Sequence, residues 1–145
     1  MYEALKHAHS GLRWVALILI VWAIYNAFSA KEFEKRHKLI NLFSMVSLHL
    51  QLVLGLILYI ISDKVKFFDG WMKEPTGIYR FYGMEHLAGM IIAIALITFG
   101  YFKSKKGTTP AEIYKPIKLF YIIGLILILA SIPWPFRANL GGAWF

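Results

Sequence analysis

Leu39-Ile-Asn-Leu-Phe-Ser-Met-Val-Ser-Leu-His-Leu-Gln-Leu-Val-Leu-Gly-Leu-Ile-Leu-Tyr-Ile-Ile-Ser62 contains no Asp, Glu, Lys or Arg. Such a run exceeds the roughly 20 apolar residues that carry an α-helix across the hydrocarbon core of a bilayer. Three further stretches read the same way: Leu12–Ser29, Tyr82–Phe102 and Leu119–Pro133, each bounded by charged or turn-forming residues. The first is predicted to begin earlier, near Glu3, and to be a retained helix, because no small-residue cleavage site follows it. The fourth is apolar only over a short stretch. Its helix is expected to extend back through Lys118, which can snorkel, and to end at Pro133 and Pro135.

The composition agrees with lipid as the solvent. The 145 residues are 59% hydrophobic and 17% charged, with a mean hydropathy of +0.58. Four spans with short connections use nearly the whole length, so the expectation is a single all-α domain over 1–145, an integral membrane four-helix bundle. The formal charge of +8 is clustered between apolar runs and forms no continuous stripe, which points to lipid headgroups rather than nucleic acid. There is no cysteine. That excludes disulfides, thiolate-held metals, iron–sulfur clusters and covalent c-type haem attachment, and leaves His, Met, carboxylate or backbone groups to hold any metal or cofactor.

Connection one, Lys31–Lys38, and connection three, Lys103–Lys118, carry nine of the sixteen basic residues, and Gly107 and Pro110 act as turn formers in the latter. The positive-inside rule then places both in the cytoplasm of a cell with an inner membrane, with the N- and C-termini outside. Connection two, Lys64 to Tyr82, mixes aromatic residues with charges and breakers. It reads as an interfacial aromatic belt or as a lid over a site on that side.

Ionisable groups inside a spanning helix are costly, which makes His9, Arg13, His49, Glu85, His86 and Arg137 the functional candidates. His7 and His37 fall at predicted helix ends and read as interfacial. Counting from the cytoplasmic ends, His49 lies about 15 Å up, His86 about 24 Å, Arg13 about 24 Å and His9 about 30 Å. Most of this set gathers in the outer half, and Arg137 would join it if helix four continued past its prolines.

On helix three, Gly83, His86, Gly89, Met90 and Ala93 recur at helical spacing. A histidine among small side chains suits a flat, bulky cofactor such as haem, and equally suits a close helix-packing seam. His9 and Arg13 share a face of helix one. Arg13 can pair with Glu85, with a haem propionate or with a quinone headgroup. A bis-histidine haem needs imidazoles from two helices at matching depth. His9 with His86 differ by about 6 Å and His49 with His86 by about 9 Å, either of which helix tilt absorbs. His49 and His86 lie deeper in the apolar region and are the preferred iron ligands, with His9 behind them or at a second site. No phosphate loop, zinc-protease motif or framed nucleophile occurs, so hydrolase chemistry is disfavoured.

At His9-Ser-Gly-Leu-Arg-Trp14, Leu48-His-Leu-Gln-Leu-Val-Leu-Gly55 and Glu85-His-Leu-Ala-Gly-Met90, the chain resembles a family of small four-helix bacterial membrane proteins described as cytochrome b-like, over all four spans. The resemblance implies b-type haem and electron transfer, with His49 and His86 at the matching motif positions. More distantly, the chain is similar to one four-helix half of haem A synthase, where histidines in an outer-leaflet bundle hold haem. It departs from that enzyme in having half its helices and no cysteine.

The expected function is thus single-electron transfer through haem b, with quinone or another membrane redox component as partner. Two rivals stand beside it. One is a non-enzymatic subunit or assembly factor of a larger membrane complex, with structural histidines. The other is a quinone or small-molecule carrier using His86, Glu85 and Arg13. Whether the protein is an enzyme, and whether it forms homo-oligomers, the sequence leaves open.

Overall fold

A computed structural model describes residues 1–144. Four long helices pack together: α1 (Tyr2–Ser29), α2 (Lys35–Ile61), α3 (Ile78–Ser104) and α4 (Pro110–Ser131). Each is long and apolar enough to cross a membrane. Small and branched side chains make up most of the sealed interior, such as Ala16, Ile20, Ala23 and Ala27 on α1 with Ala93 and Ile97 of α3 and Ile117 of α4, and the Tyr121 ring of α4 is buried among them. The residues turned outward are as apolar as the core: Val15, Ile18, Trp22 and Phe28 on α1, and Phe43, Leu50, Val53 and Ile60 on α2. An exposed surface of this kind has lipid as its natural solvent, and the chain is a multi-pass membrane protein in architecture.

Connections follow from local chemistry. Helix α2 starts at Glu34, where His37 accepts the Glu34 backbone N–H at 3.2 Å. His37 lies at the helix end, as expected, but is closed to water: it is 4% exposed and hydrogen-bonds the Tyr114 hydroxyl at 3.0 Å, tying α2 to α4. Helix α4 begins nine residues before the expected Leu119. Thr109-Pro110-Ala-Glu112 is a capping box in which the Glu112 carboxylate receives the Thr109 N–H and the Glu112 N–H reaches the Thr109 hydroxyl. Pro110 thus opens a helix rather than a turn. Pro116 lies inside it and cannot donate to the carbonyl four residues back. The chain accommodates this with a wider π-type turn at Ile117–Tyr121.

The two ends of the bundle differ. One holds the short connections 30–34 and 105–109. The other gathers both termini and connection two, as shown by Tyr2 bonding Ser62 across 3.2 Å and Lys64 reaching the Gly141 carbonyl at 3.1 Å. In connection two, Phe67 and Trp71 stack edge-on at 5.0 Å over Gly83, where a Cβ would lie 3.3 Å from the Trp71 ring.

Candidate functional site: a two-histidine cavity at the terminal end

Between the helices at the terminal end lies a cavity of about 640 Å³, within the usual size range of small-molecule and cofactor sites. Each wall comes from one helical stripe. Helix α1 gives His9, Arg13, Ala16, Leu17 and Ile20; α2 gives Leu48, Gln51, Leu52, Gly55 and Tyr59; α3 gives Tyr82, His86, Met90 and Ile94. These sets recur every three or four residues, so each is one face of its helix. The cavity is polar at its mouth, near Glu3, Lys6, Asp63 and Lys64, and apolar in its depth, near Ile20, Ile94 and Ile128.

His9 and His86 both line it, as an edge-on pair with ring centroids 6.5 Å apart and planes at 73°. His86 is fixed by an accounting of backbone bonds that begins with two prolines. Pro133 has no N–H for the carbonyl of Leu129, four residues back, and Pro135 has none for Ser131. Leu129 is satisfied instead by the Trp134 indole at 2.8 Å, and Ser131 by His86 Nδ1 at 2.7 Å. A carbonyl only accepts, so Nδ1 carries the proton and Nε2 is left with its lone pair. Gly89 lets the end of α4 come this close, since a Cβ there would run into the Ser131 side chain. Restoring both missing donors, with Pro133→Ala and Pro135→Ala together, is expected to let α4 continue past Ser131 and draw the Ser131 carbonyl back into the helix. Ligand affinity of the cavity should then fall about 10- to 100-fold, as when an outer partner of a metal-ligating histidine is lost. Unchanged affinity in a binding titration would show that the bond does not position His86.

His9 lies against Gly55, where a Cβ would come within 3.2 Å of the imidazole Cε1; the glycine makes the space the ring occupies. The Gln51 amide donates to the His9 carbonyl at 2.8 Å. Three buried polar atoms in this wall have no partner among the described residues: His9 Nδ1, Arg13 Nε and Gln51 Oε1. Buried polar groups are ordinarily satisfied, so these mark a place built for a polar occupant or ordered water.

The structure separates the other sequence candidates. His49 is exposed and lines a different, apolar groove with Met45, Thr98 and Phe102, its Nδ1 turned to the Met45 carbonyl at 2.9 Å. The cavity face of α2 runs through residues 48, 51, 52, 55 and 59. One residue advances a helix by about 100°, so position 49 falls off that face. His86 therefore meets His9 and not His49. Glu85 pairs with Arg80 at 2.7 Å, not with Arg13, because a π-type turn at Phe81–Glu85 brings residues five apart side by side. The same turn sets Gly83 apart from the expected face of α3, and it packs under connection two; Gly89 packs on Ser131, and only His86 and Met90 of that set line the cavity. Arg137 is not on an extended α4. The helix stops at Ser131 and Arg137 folds back to donate to the Ala130 carbonyl at 3.2 Å, over the ring of Phe81, a cation on the negative end of a helix. The residues that sequence reading passed over are Gln51, Gly55, Tyr82 and Ser131; the stripe through Leu48, Gln51, Leu52 and Gly55 was the available signal for the first two.

Among the described residues no cluster of three or more His, Cys, Asp or Glu is arranged to hold a metal ion. A bare metal thus has too few donors here, whereas a metal that brings its own in-plane donors requires only two axial groups. Two imidazoles bound to one metal at about 2.0 Å each put their ring centroids about 6 Å apart, so the observed spacing fits haem ligation. The lone pair on His86 Nε2 and the Arg13 cation nearby fit it as well.

Fold and site together define a small four-helix membrane protein with a histidine-lined cavity at one end. No family model matches the chain, and neither a curated protein nor a solved structure matches it.

Proposed function

We propose that this is a b-type haem-binding electron-transfer protein of the cytoplasmic membrane, with His9 and His86 as axial ligands and the terminal end of the bundle on the outer side. The observation that carries the reading is the pair of imidazoles from α1 and α3, 6.5 Å apart in the wall of one cavity. The orientation rests on the basic residues flanking the two short connections at the opposite end.

Haem iron between two imidazoles would supply one-electron chemistry with little change in coordination. The protein's part is binding and tuning. The Ser131 carbonyl fixes the His86 tautomer and makes the ring a stronger donor. Gly55 gives the His9 ring its place, and the apolar depth of the cavity keeps water from the ligands. Arg13 and Lys64 at the mouth offset negative charge on the occupant. Burial, with the nearby Lys6 charge adding to it, holds the Lys64 ammonium below the ordinary lysine range, so an anion beside it would be favoured.

A second reading is a lipid-soluble quinone in the same cavity, favoured by Arg13 and Tyr82 donors above an apolar interior. The subunit reading keeps the seam it expected, with Gly89 and Gly100 packed on α4 and His86 hydrogen-bonded to Ser131, but it gives the cavity and its unpartnered polar atoms no occupant. Purification after expression with ample haem separates the first two. Reduced-minus-oxidised bands of a b-type haem support the proposal; a colourless protein that binds a quinone supports the second reading.

A further inference from the structure

The segment after α4 crosses the mouth of the cavity by a path its sequence is built for. Trp134 to Arg137 form a turn closed by a 2.9 Å backbone bond, and Ala138–Leu140 make a 3-10 turn. Gly141 then adopts a left-handed conformation at φ 58°. Gly142 runs so close to the Pro133 carbonyl that any Cβ would collide with it.

This path aims successive carbonyls at two cations. Lys64 Nζ donates to Gly141 at 3.1 Å and Leu140 at 3.4 Å. Arg13 Nη2 donates to Trp144 at 2.6 Å and Ala143 at 3.2 Å. Tyr82 and Trp14 add bonds to Leu140 and Trp144, and Trp144 stacks on Trp14 at 6.2 Å.

Among the described residues no carboxylate serves either cation. Those around the mouth are taken elsewhere: Glu3 by Lys6, Asp63 by Lys66 and Glu85 by Arg80. Neutral carbonyls are the weaker partners for a guanidinium and an ammonium, and Arg13 Nε is still buried without any among the described residues. Two cations that, among the described residues, meet only backbone carbonyls and the rings of Trp14, Trp134 and Tyr82 stand at the entrance of a ligand-sized cavity, where two carboxylates would be the stronger partners.

We infer that residues 140–144 are a displaceable strap, whose carbonyls hold the positions on Arg13 and Lys64 that two carboxylates of the cavity's ligand take. The inference rests on the haem reading, in which these are the propionates. Loading the cavity releases the strap, and an empty cavity is held shut by it.

The chain has no cysteine, so Leu140→Cys gives a single thiol at a position 5% exposed while the strap is closed. Maleimide labelling of this full-length variant in detergent should rise several-fold with haemin and stay unchanged with haemin dimethyl ester, whose propionates are neutral. The ester should also bind about 10- to 100-fold more weakly by titration of the haem absorbance, the effect of exchanging charged for neutral hydrogen bonds. Arg13→Gln should lower haemin affinity toward that of the ester and change ester binding far less, which tests the inference even if the thiol variant misfolds. Equal binding of haemin and ester, with labelling unaffected, overturns the strap and leaves the haem reading standing. If neither compound binds, the haem reading falls and the strap falls with it.

Discussion

His86→Ala is expected to yield a protein without reduced-minus-oxidised haem bands, and His9→Ala a protein whose bands are lost or converted, whereas His49→Ala keeps the parent spectrum. The first change removes the one imidazole whose tautomer is set by a backbone bond, the 2.7 Å contact to Ser131. The second removes its counterpart in the cavity wall. The third alters a ring in a separate groove that already spends its Nδ1 on Met45. Absorption spectra of the three purified variants at equal protein concentration decide the matter. Loss of the bands in His49→Ala with retention in His9→Ala would reverse the ligand assignment made from the geometry.

A comparably large effect on folding is expected at Gly100. A Cβ there would lie 2.6 Å from Phe120 Cβ and 3.3 Å from the Pro116 carbonyl oxygen. Neither atom is the free end of a side chain, so α3 and α4 must move apart to admit even one carbon. Gly100→Val is expected to destabilise the bundle by roughly 1–3 kcal/mol, the usual cost of overpacking, and by more if the π-type turn after Pro116 cannot yield. Thermal unfolding in detergent, followed by circular dichroism, should show a lower midpoint. Because Ser131 and His86 sit at this same α3–α4 interface, ligand binding should weaken in parallel. An unchanged midpoint would show that the two helices do not pack through this glycine.

The four spans were legible in the sequence because lipid imposes a coarse rule, a long apolar stretch, that needs no knowledge of tertiary contacts. The start of α4 was missed for the same reason. Lys115 and Lys118 lower the apolar signal, while the feature that starts the helix is the capping box at Thr109-Pro-Ala-Glu112, which hydropathy does not weigh. The polar set was legible as a set, since ionisable residues in spans stand out. Its pairing was not.

Choosing His49 over His9 depended on depth along the membrane, when the deciding variable was rotation about the helix axis, readable from Leu48, Gln51, Leu52 and Gly55. Glu85 and Gly83 were harder to place. The π-type turn at Phe81–Glu85 shifts the helical count by a residue, and nothing in Phe-Tyr-Gly-Met-Glu announces it. The role of Pro135 lies between these cases. That it strips a donor from Ser131 follows from the sequence alone, but that His86 answers the orphaned carbonyl is a fact of packing.

In the proposed function two imidazoles, from α1 and α3, share one iron, and electron paramagnetic resonance of the oxidised, purified protein reads that ligation. A low-spin ferric signal with two nitrogen ligands is expected, giving way to a high-spin signal in His9→Ala. A high-spin signal in the parent protein, or a low-spin signal that His9→Ala leaves unaltered, would contradict it.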